Sequence, residues 1–235
     1  MKGVRWGVRT LGEVLITVSL LLFLFIAWEL WWTDVSANRE QAVTIHVLEK
    51  DFGTPGQVPA GQPAAALADL SKVPFGEAFA ILRIPRFGAD YAKPVLQGTD
   101  HDTLTQGIGH YPGTASPGKV GNFSMAGHRT TYGKPFSDIE LLQKGDVIVV
   151  ETKASYLVYG VDRHVIVTPD QVQVIAPVPQ DPGASPSQAW LTMTACHPRY
   201  SASKRYVVFA RLMKTLPRAG GLAASYMAVP AGTVG

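Results

Sequence analysis

The chain of 235 residues contains one cysteine, Cys196. A single thiol has no partner within the chain, so no intramolecular disulfide holds the fold together. Charged side chains are scarce, at 17% of residues, against about a quarter in ordinary soluble domains. The net charge is only +3, and beyond the first ten residues there is no run of Lys and Arg. That scatter excludes the basic stripe a nucleic-acid-binding surface needs, so no nucleic acid partner is expected. The histidines lack metal-ligand spacing and the acids do not cluster as calcium ligands do, so neither a metal nor another cofactor is expected. No internal repeat is present.

Long apolar runs are also absent, with one exception. Residues 11–32, within MKGVRWGVRTLGEVLITVSLLLFLFIAWELWW, provide about the 20 residues a helix needs to cross a hydrocarbon core of roughly 30 Å. Glu13 and Glu29 lie near the ends of the run, where a carboxylate reaches headgroups or water. Trp28, Trp31 and Trp32 form an interfacial belt. Lys2, Arg5 and Arg9 precede the run, and positive residues stay cytoplasmic, which predicts a single pass with the amino end inside and the rest of the chain outside. A cleavable signal peptide is the competing reading, but the run is long for one and no small-residue cleavage site follows it.

After the anchor, DVSANREQAVTIHVLEKDF predicts a helix continuing away from the membrane. GTPGQVPAGQPAAALADLSKVP has no periodic apolar face and reads as a linker. From Phe75 onward, short apolar runs punctuated by Gly and Pro indicate antiparallel β structure in a single domain. AFAILRIPRF puts Ala80, Leu82 and Ile84 on one face, and GNFSMAGHR alternates Phe123 and Met125 with Ser124 and Ala126. DVIVVETKASYLVYGVDRHVIVTP reads as two strands with a turn at 152–154; AKPVLQG, AWLTMTAC and KRYVVFARLMK supply three more. FSDIELLQKGD is the one helical turn expected. Seven or eight strands suit a small barrel or sandwich.

A lone thiol is most often a buried small hydrophobe, but the position of Cys196 is unusual. The period of two along LTMTAC puts Thr192, Thr194 and Cys196 on a polar face, opposite Leu191, Met193 and Ala195. Cys196 also ends its strand where HPRYSAS begins a loop, and loop mouths carry chemistry. A thiol nucleophile needs a base or cation nearby, because the free group is only a few per cent ionised at neutral pH. His46 lies in the stalk and His197 points to the opposite face of its strand. His101, His110 and His164 stand in ordinary surface contexts. His128 stands out because it ends an alternating strand after Gly127, which permits close backbone approach. Arg205 opens the strand nine residues after Cys196, so an antiparallel return places it beside the thiol, as a donor for a developing oxyanion.

These residues carry a resemblance to the sortases, the membrane-anchored cysteine transpeptidases of Gram-positive bacteria. TMTAC resembles the sortase T-L-x-T-C signature, with Met193 for Leu. Arg205 resembles the family arginine on the next strand, and His128 in AGHR the family histidine. HYPGTASPGKVGNFSMAGHRTTYGKPF is most similar to class E enzymes of actinobacteria, while Ala195 stands where class E frequently has Thr. The resemblance implies a mostly β fold, a closed eight-stranded barrel with few short helices, following the membrane helix. The implied organisation is a cytoplasmic leader 1–10, membrane helix 11–32, extracytoplasmic stalk and linker 33–74, catalytic domain 75–215 and tail 216–235.

The resemblance further implies that Cys196, His128 and Arg205 are catalytic and that Thr194 and Tyr111 contact substrate, Tyr111 resembling a class E tyrosine implicated in accepting Ala in place of Pro. The implied partners are secreted proteins carrying a C-terminal LAxTG- or LPxTG-like signal and an amine from a peptidoglycan precursor or a pilin. Two other readings remain: a cysteine hydrolase or L,D-transpeptidase, though the His- and Gly-rich run usual before its Cys is missing, and a non-catalytic surface module with Cys196 buried.

Overall fold

The computed structural model describes residues 2–54 and 70–229. The first of these stretches is one unbroken helix, α1 (Lys2–Phe52). Its two halves differ in what they face. Over residues 11–29 and at Trp31 and Trp32 the apolar side chains project in all directions without cover, as a bilayer-crossing helix requires. Beyond Trp32 the helix becomes amphipathic. Ala37, Gln41, Leu48 and Phe52 recur at helical spacing and are buried on one face, where Leu48 and Phe52 pack against Ile81. The stalk helix expected from the sequence is therefore continuous with the apolar segment, and it lies along the folded domain. Arg218 fastens its far end by donating to the Phe52 carbonyl at 3.1 Å, and Arg83 adds an ion pair with Glu49 at 2.9 Å. Most of the expected linker, residues 55–69, lies outside the described residues; Leu70–Lys72 form a 3-10 turn that places Leu70 in the core.

Eight strands follow: β1 (Ala78–Arg83), β2 (Ala92–Gln97), β3 (Ile108–His110), β4 (Gly121–Ala126), β5 (Val147–Glu151), β6 (Ser155–Val167), β7 (Ala189–His197) and β8 (Lys204–Pro217). They close into a barrel in the order β1-β2-β3-β4-β7-β8-β6-β5. Closure removes the unpaired edges that an open sheet would expose. Alternation fills the interior. Ile148, Val150, Leu157 and Tyr159 join Ala80, Leu82, Phe123, Met125, Leu191, Met193 and Ala195 in one core, the last seven on the faces read from the sequence. The turn at 152–154 is present, closed by Thr152 N–H donating to the Ser155 carbonyl at 2.9 Å.

The expectation of purely antiparallel pairing needs correction. β2 pairs parallel with β3, and β4 pairs parallel with β7. Parallel neighbours need a crossover; the first is made by α2 (His101–Gln106), a short helix not foreseen, capped by Asp100 accepting from Thr103 N–H at 3.0 Å. The predicted helical turn after Phe136 is a single 3-10 turn, Ile139–Leu141.

A second, smaller apolar layer lies outside the barrel. The connection 168–188 returns over the outer face of β7 and β8, and its Val174 packs with Val167, Trp190, Val207 and Phe209. Asn122 on β4 ties this roof down: its Nδ2 donates to the carbonyls of Val174 (3.2 Å) and Ala176 (2.9 Å), while its Oδ1 accepts from the Thr192 hydroxyl at 2.7 Å. Asn122 and Thr192 are tolerated as buried polar groups because each finds a partner.

Candidate active site

The outer face of β7 carries Thr192, Thr194 and Cys196, while Leu191, Met193 and Ala195 enter the core. Cys196 is half-buried, not sealed away. In the antiparallel β7–β8 ladder Cys196 and Arg205 are Cα partners. Directly opposed residues project to the same face, and Arg205 therefore stands beside the thiol. One of its guanidinium nitrogens, Nη1, donates to the carbonyls of Ala202 (2.9 Å) and Lys204 (3.0 Å). This anchors the head of the side chain, and a guanidinium with five N–H donors keeps others for a substrate.

His128 comes from a different strand pair. In the parallel β4–β7 ladder Ala126 is opposite Thr194, and the last rung is Gly127 N–H donating to the Thr194 carbonyl at 3.1 Å. His128 follows Ala126 by two residues and Cys196 follows Thr194 by two, so the parallel register directs both to the same end of the barrel. The approach depends on glycine: a Cβ at position 127 would stand 2.7 Å from the Phe136 ring. Phe136 N–H also donates to the His128 carbonyl at 3.0 Å, which fixes the backbone here. The imidazole lies 5.1 Å, centroid to centroid, from the Tyr132 ring. Its Nε2 is buried and has no hydrogen-bond partner among the described residues. Burial lowers the His128 pKa below the ordinary histidine value, and the nearby His101 lowers it further.

Arg129, which did not stand out in the sequence, joins the two halves of the site. It is buried, and its Nη1 donates to the Cys196 carbonyl at 3.4 Å and to His197 Nδ1 at 3.0 Å, while Nη2 pairs with Glu140. The one sequence signal for it is its place directly after His128. His197, on the other face of β7 as expected, packs against Tyr206.

Tyr111, Thr194 and Arg205 line one cavity of about 200 Å³ beneath the 168–188 roof, whose Val172 and Ile175 supply an apolar wall. The Tyr111 hydroxyl is 3.0 Å from Thr194 Oγ1, which itself donates to the Met125 carbonyl at 3.2 Å. The other histidines are placed elsewhere. His110 is buried with Nδ1 2.7 Å from Gln97 Oε1 and Nε2 2.9 Å from the Thr114 hydroxyl, and burial lowers its pKa to about 4. His164 stacks on Tyr206. Among the described residues no group of three or more His, Cys, Asp or Glu is arranged to hold a metal ion.

Known proteins resemble this chain in both sequence and fold. The chain is 35% identical over 222 residues to sortase SrtE1 of Streptomyces coelicolor, an alignment covering 91% of this chain and 59% of that relative. It is 32% identical over 219 residues to SrtE2 of the same organism, covering 89% of this chain and 83% of the relative. The chain thus spans about three-fifths of the length of the first relative. Among solved structures, sortase E from Streptomyces avermitilis superposes with a TM-score of 0.60 at 40% identity, over 65% of this chain and 99% of that one. The family model of the sortase domain matches residues 82–213, from within β1 to within β8, and so spans every strand that builds the site: the chain belongs to the sortase family.

Proposed function

We propose that this protein is a membrane-anchored cysteine transpeptidase that cleaves an LAxTG- or LPxTG-like sorting signal between Thr and Gly and joins the Thr to a new amine. The observation that supports the reading is the strand arrangement, in which Cys196 pairs with Arg205 on β8 and the parallel β4–β7 register directs His128 to the same end of the barrel. The Cys196 thiolate attacks the Thr carbonyl, and the resulting oxyanion is held by Arg205. His128, as imidazolium, protonates the departing Gly nitrogen, leaving a thioester. An incoming amine then attacks the thioester, neutral His128 accepts its proton, and the Cys196 thiolate leaves. One amide is broken and one formed.

The substrate groove is the cavity under the roof. Its apolar side, Val172 and Ile175, suits the motif Leu, and its polar side, Tyr111 and Thr194, suits the backbone that follows. The acceptor is an amine of a peptidoglycan precursor or of a surface protein such as a pilin.

The helix supports a site near the bilayer. Asp34, immediately past the apolar run, contacts Gly133, in the loop that carries His128. At 1.5 Å per residue, the stretch from Trp32 to Gln41 spans only about 14 Å. With Lys2, Arg5 and Arg9 cytoplasmic, the catalytic domain lies outside the cell with this loop at the membrane surface, where lipid-linked acceptors and substrates with membrane-embedded tails are found.

The test is to incubate the full chain with an LAxTG peptide, with and without an amine, and to analyse protein and peptide by mass spectrometry. The expected result is a peptidyl adduct on Cys196 that disappears when amine is added, with a new Thr–amine amide. Cleavage at another bond, or an amide formed without Cys196, overturns the reading.

A further inference from the structure

The segment of α1 just outside the membrane does more than join anchor to barrel. Asp34 Oδ1 accepts from Gly133 N–H at 3.2 Å, and the same carboxylate pairs with Lys134. Gln41, only 1% exposed, donates from Nε2 to the Tyr132 carbonyl at 3.0 Å. Asn38 Oδ1 and Gln41 Oε1 each accept from Lys93 Nζ at 2.8 Å, and Lys93 donates in turn to the Gly133 carbonyl at 3.1 Å. Directly, or through Lys93, this cluster converges on one turn, residues 132–134.

That turn is under strain. Tyr132, Gly133 and Lys134 have φ of 53°, 75° and 46°, three consecutive residues in the left-handed region, which side chains adopt only when their surroundings impose it. The fit is close, since a Cβ at Gly133 would stand 2.8 Å from Asn38 Oδ1. The turn presents the Tyr132 ring to His128 at 5.1 Å and, edge-on, to His101 at 5.8 Å. Among the described residues His128 has no hydrogen-bonding orienter at its buried Nε2, so packing against Tyr132 takes that part.

We propose that Asp34 and Gln41 of the membrane-proximal helix are positioning residues of the active site, holding the 132–134 turn so that Tyr132 sets the orientation and solvent shielding of His128. The membrane anchor is then part of the catalytic scaffold, and a barrel cut free of it is a slower enzyme. The inference rests on the proposed role of His128.

The experiment uses the full chain in detergent micelles with an LAxTG peptide and a simple amine. It compares Gln41→Ala, Asp34→Ala, the conservative Asp34→Asn, and Glu49→Ala. The last lies on the same helix but contacts Arg83, away from the turn. Each protein is assayed for kcat and KM, and His128 is titrated by histidine NMR, with His128→Ala identifying its signal. Gln41→Ala and Asp34→Ala are expected to lower kcat about tenfold with KM changed less than about twofold, since misplacing a catalytic group slows chemistry without touching peptide binding. The His128 titration should move up toward the ordinary histidine value as the ring gains solvent. Asp34→Asn, which keeps the acceptor for Gly133, should recover most of the rate, and Glu49→Ala should match the parent. If Gln41→Ala does not fold, Tyr132→Ala, which removes only the backing ring, must show the same loss and the same shift. Parent-like kcat and His128 titration in a folded Gln41→Ala or Tyr132→Ala overturns the proposal, as does an equal loss in Glu49→Ala. Full activity in His128→Ala would instead remove the reading beneath it.

Discussion

The Tyr111 hydroxyl donates its hydrogen bond to Thr194 Oγ1 across 3.0 Å. The direction follows from the next link, because Thr194 gives its own proton to the Met125 carbonyl. The relay leaves the Tyr111 oxygen as an acceptor facing the cavity it lines with Arg205. A backbone N–H of the bound peptide can reach such an acceptor, and Ala has that N–H where Pro does not.

LAxTG should therefore be processed faster than LPxTG. One hydrogen bond contributes about 0.5 to 1.5 kcal/mol net, which is about two- to tenfold. Competition of the two peptides in one reaction reads the ratio of specificity constants directly. Tyr111→Phe should narrow the gap, chiefly by slowing LAxTG; an unchanged ratio would show that the hydroxyl does not touch the second motif position.

Cys196→Ala should abolish amide formation while changing stability by at most about 1 kcal/mol, because the site is half-exposed and the lost volume small. Arg205→Lys keeps the charge but not the planar fork, which already holds two loop carbonyls, and should lower kcat/KM by about tenfold or more. Single-turnover assays with the acyl adduct followed by mass spectrometry will show whether the loss falls on acylation.

The buried His110 gives the barrel a pH limit. Its folded-state pKa is lowered to about 4 by burial, whereas the unfolded chain titrates near about 6.5. Between those values the unfolded state binds more protons. The stability contribution is thus complete above about pH 6.5 and lost as pH falls toward 4, by up to about 3 kcal/mol. Urea unfolding of the full chain in micelles at pH 7.5 and 4.5 should show a smaller pH-dependent loss for His110→Gln than for the parent. Equal losses would place the acid sensitivity elsewhere.

Seven residues of helix inserted between Trp32 and Thr33 would lift the site by about 10 Å while leaving the docked face from Asp34 onward intact. Activity on a soluble peptide and amine should stay near the parent's. Activity on a substrate carrying a membrane-spanning tail, both in one bilayer vesicle, should fall several-fold. Equal effects on both substrates would argue against a site working at the membrane surface.

Much of this was legible in the sequence because it depends on local periodicity. The period of two sorted Leu191, Met193 and Ala195 from Thr192, Thr194 and Cys196, and one short loop brought Arg205 back beside the thiol. The apolar run likewise specifies, without any tertiary contact, a helix long and apolar enough to cross a membrane. The three-residue β3 and six-residue α2 were missed, because elements so short complete too little of a period to be recognised.

The remainder was decided only by tertiary structure. Whether His128 meets Cys196 depends on β4 pairing with β7, strands far apart in sequence, and closure of the barrel rather than any local preference selects that parallel register. The stalk shows the same division. Its helical character and the spacing of Ala37, Gln41, Leu48 and Phe52 can be read along the chain, but spacing alone does not say what a face rests on. Only the folded barrel, by bringing the 132–134 turn against Asp34 and Gln41, connects the anchor to the candidate active site, because a hydrogen bond between residues 91 positions apart leaves no periodic trace in either segment.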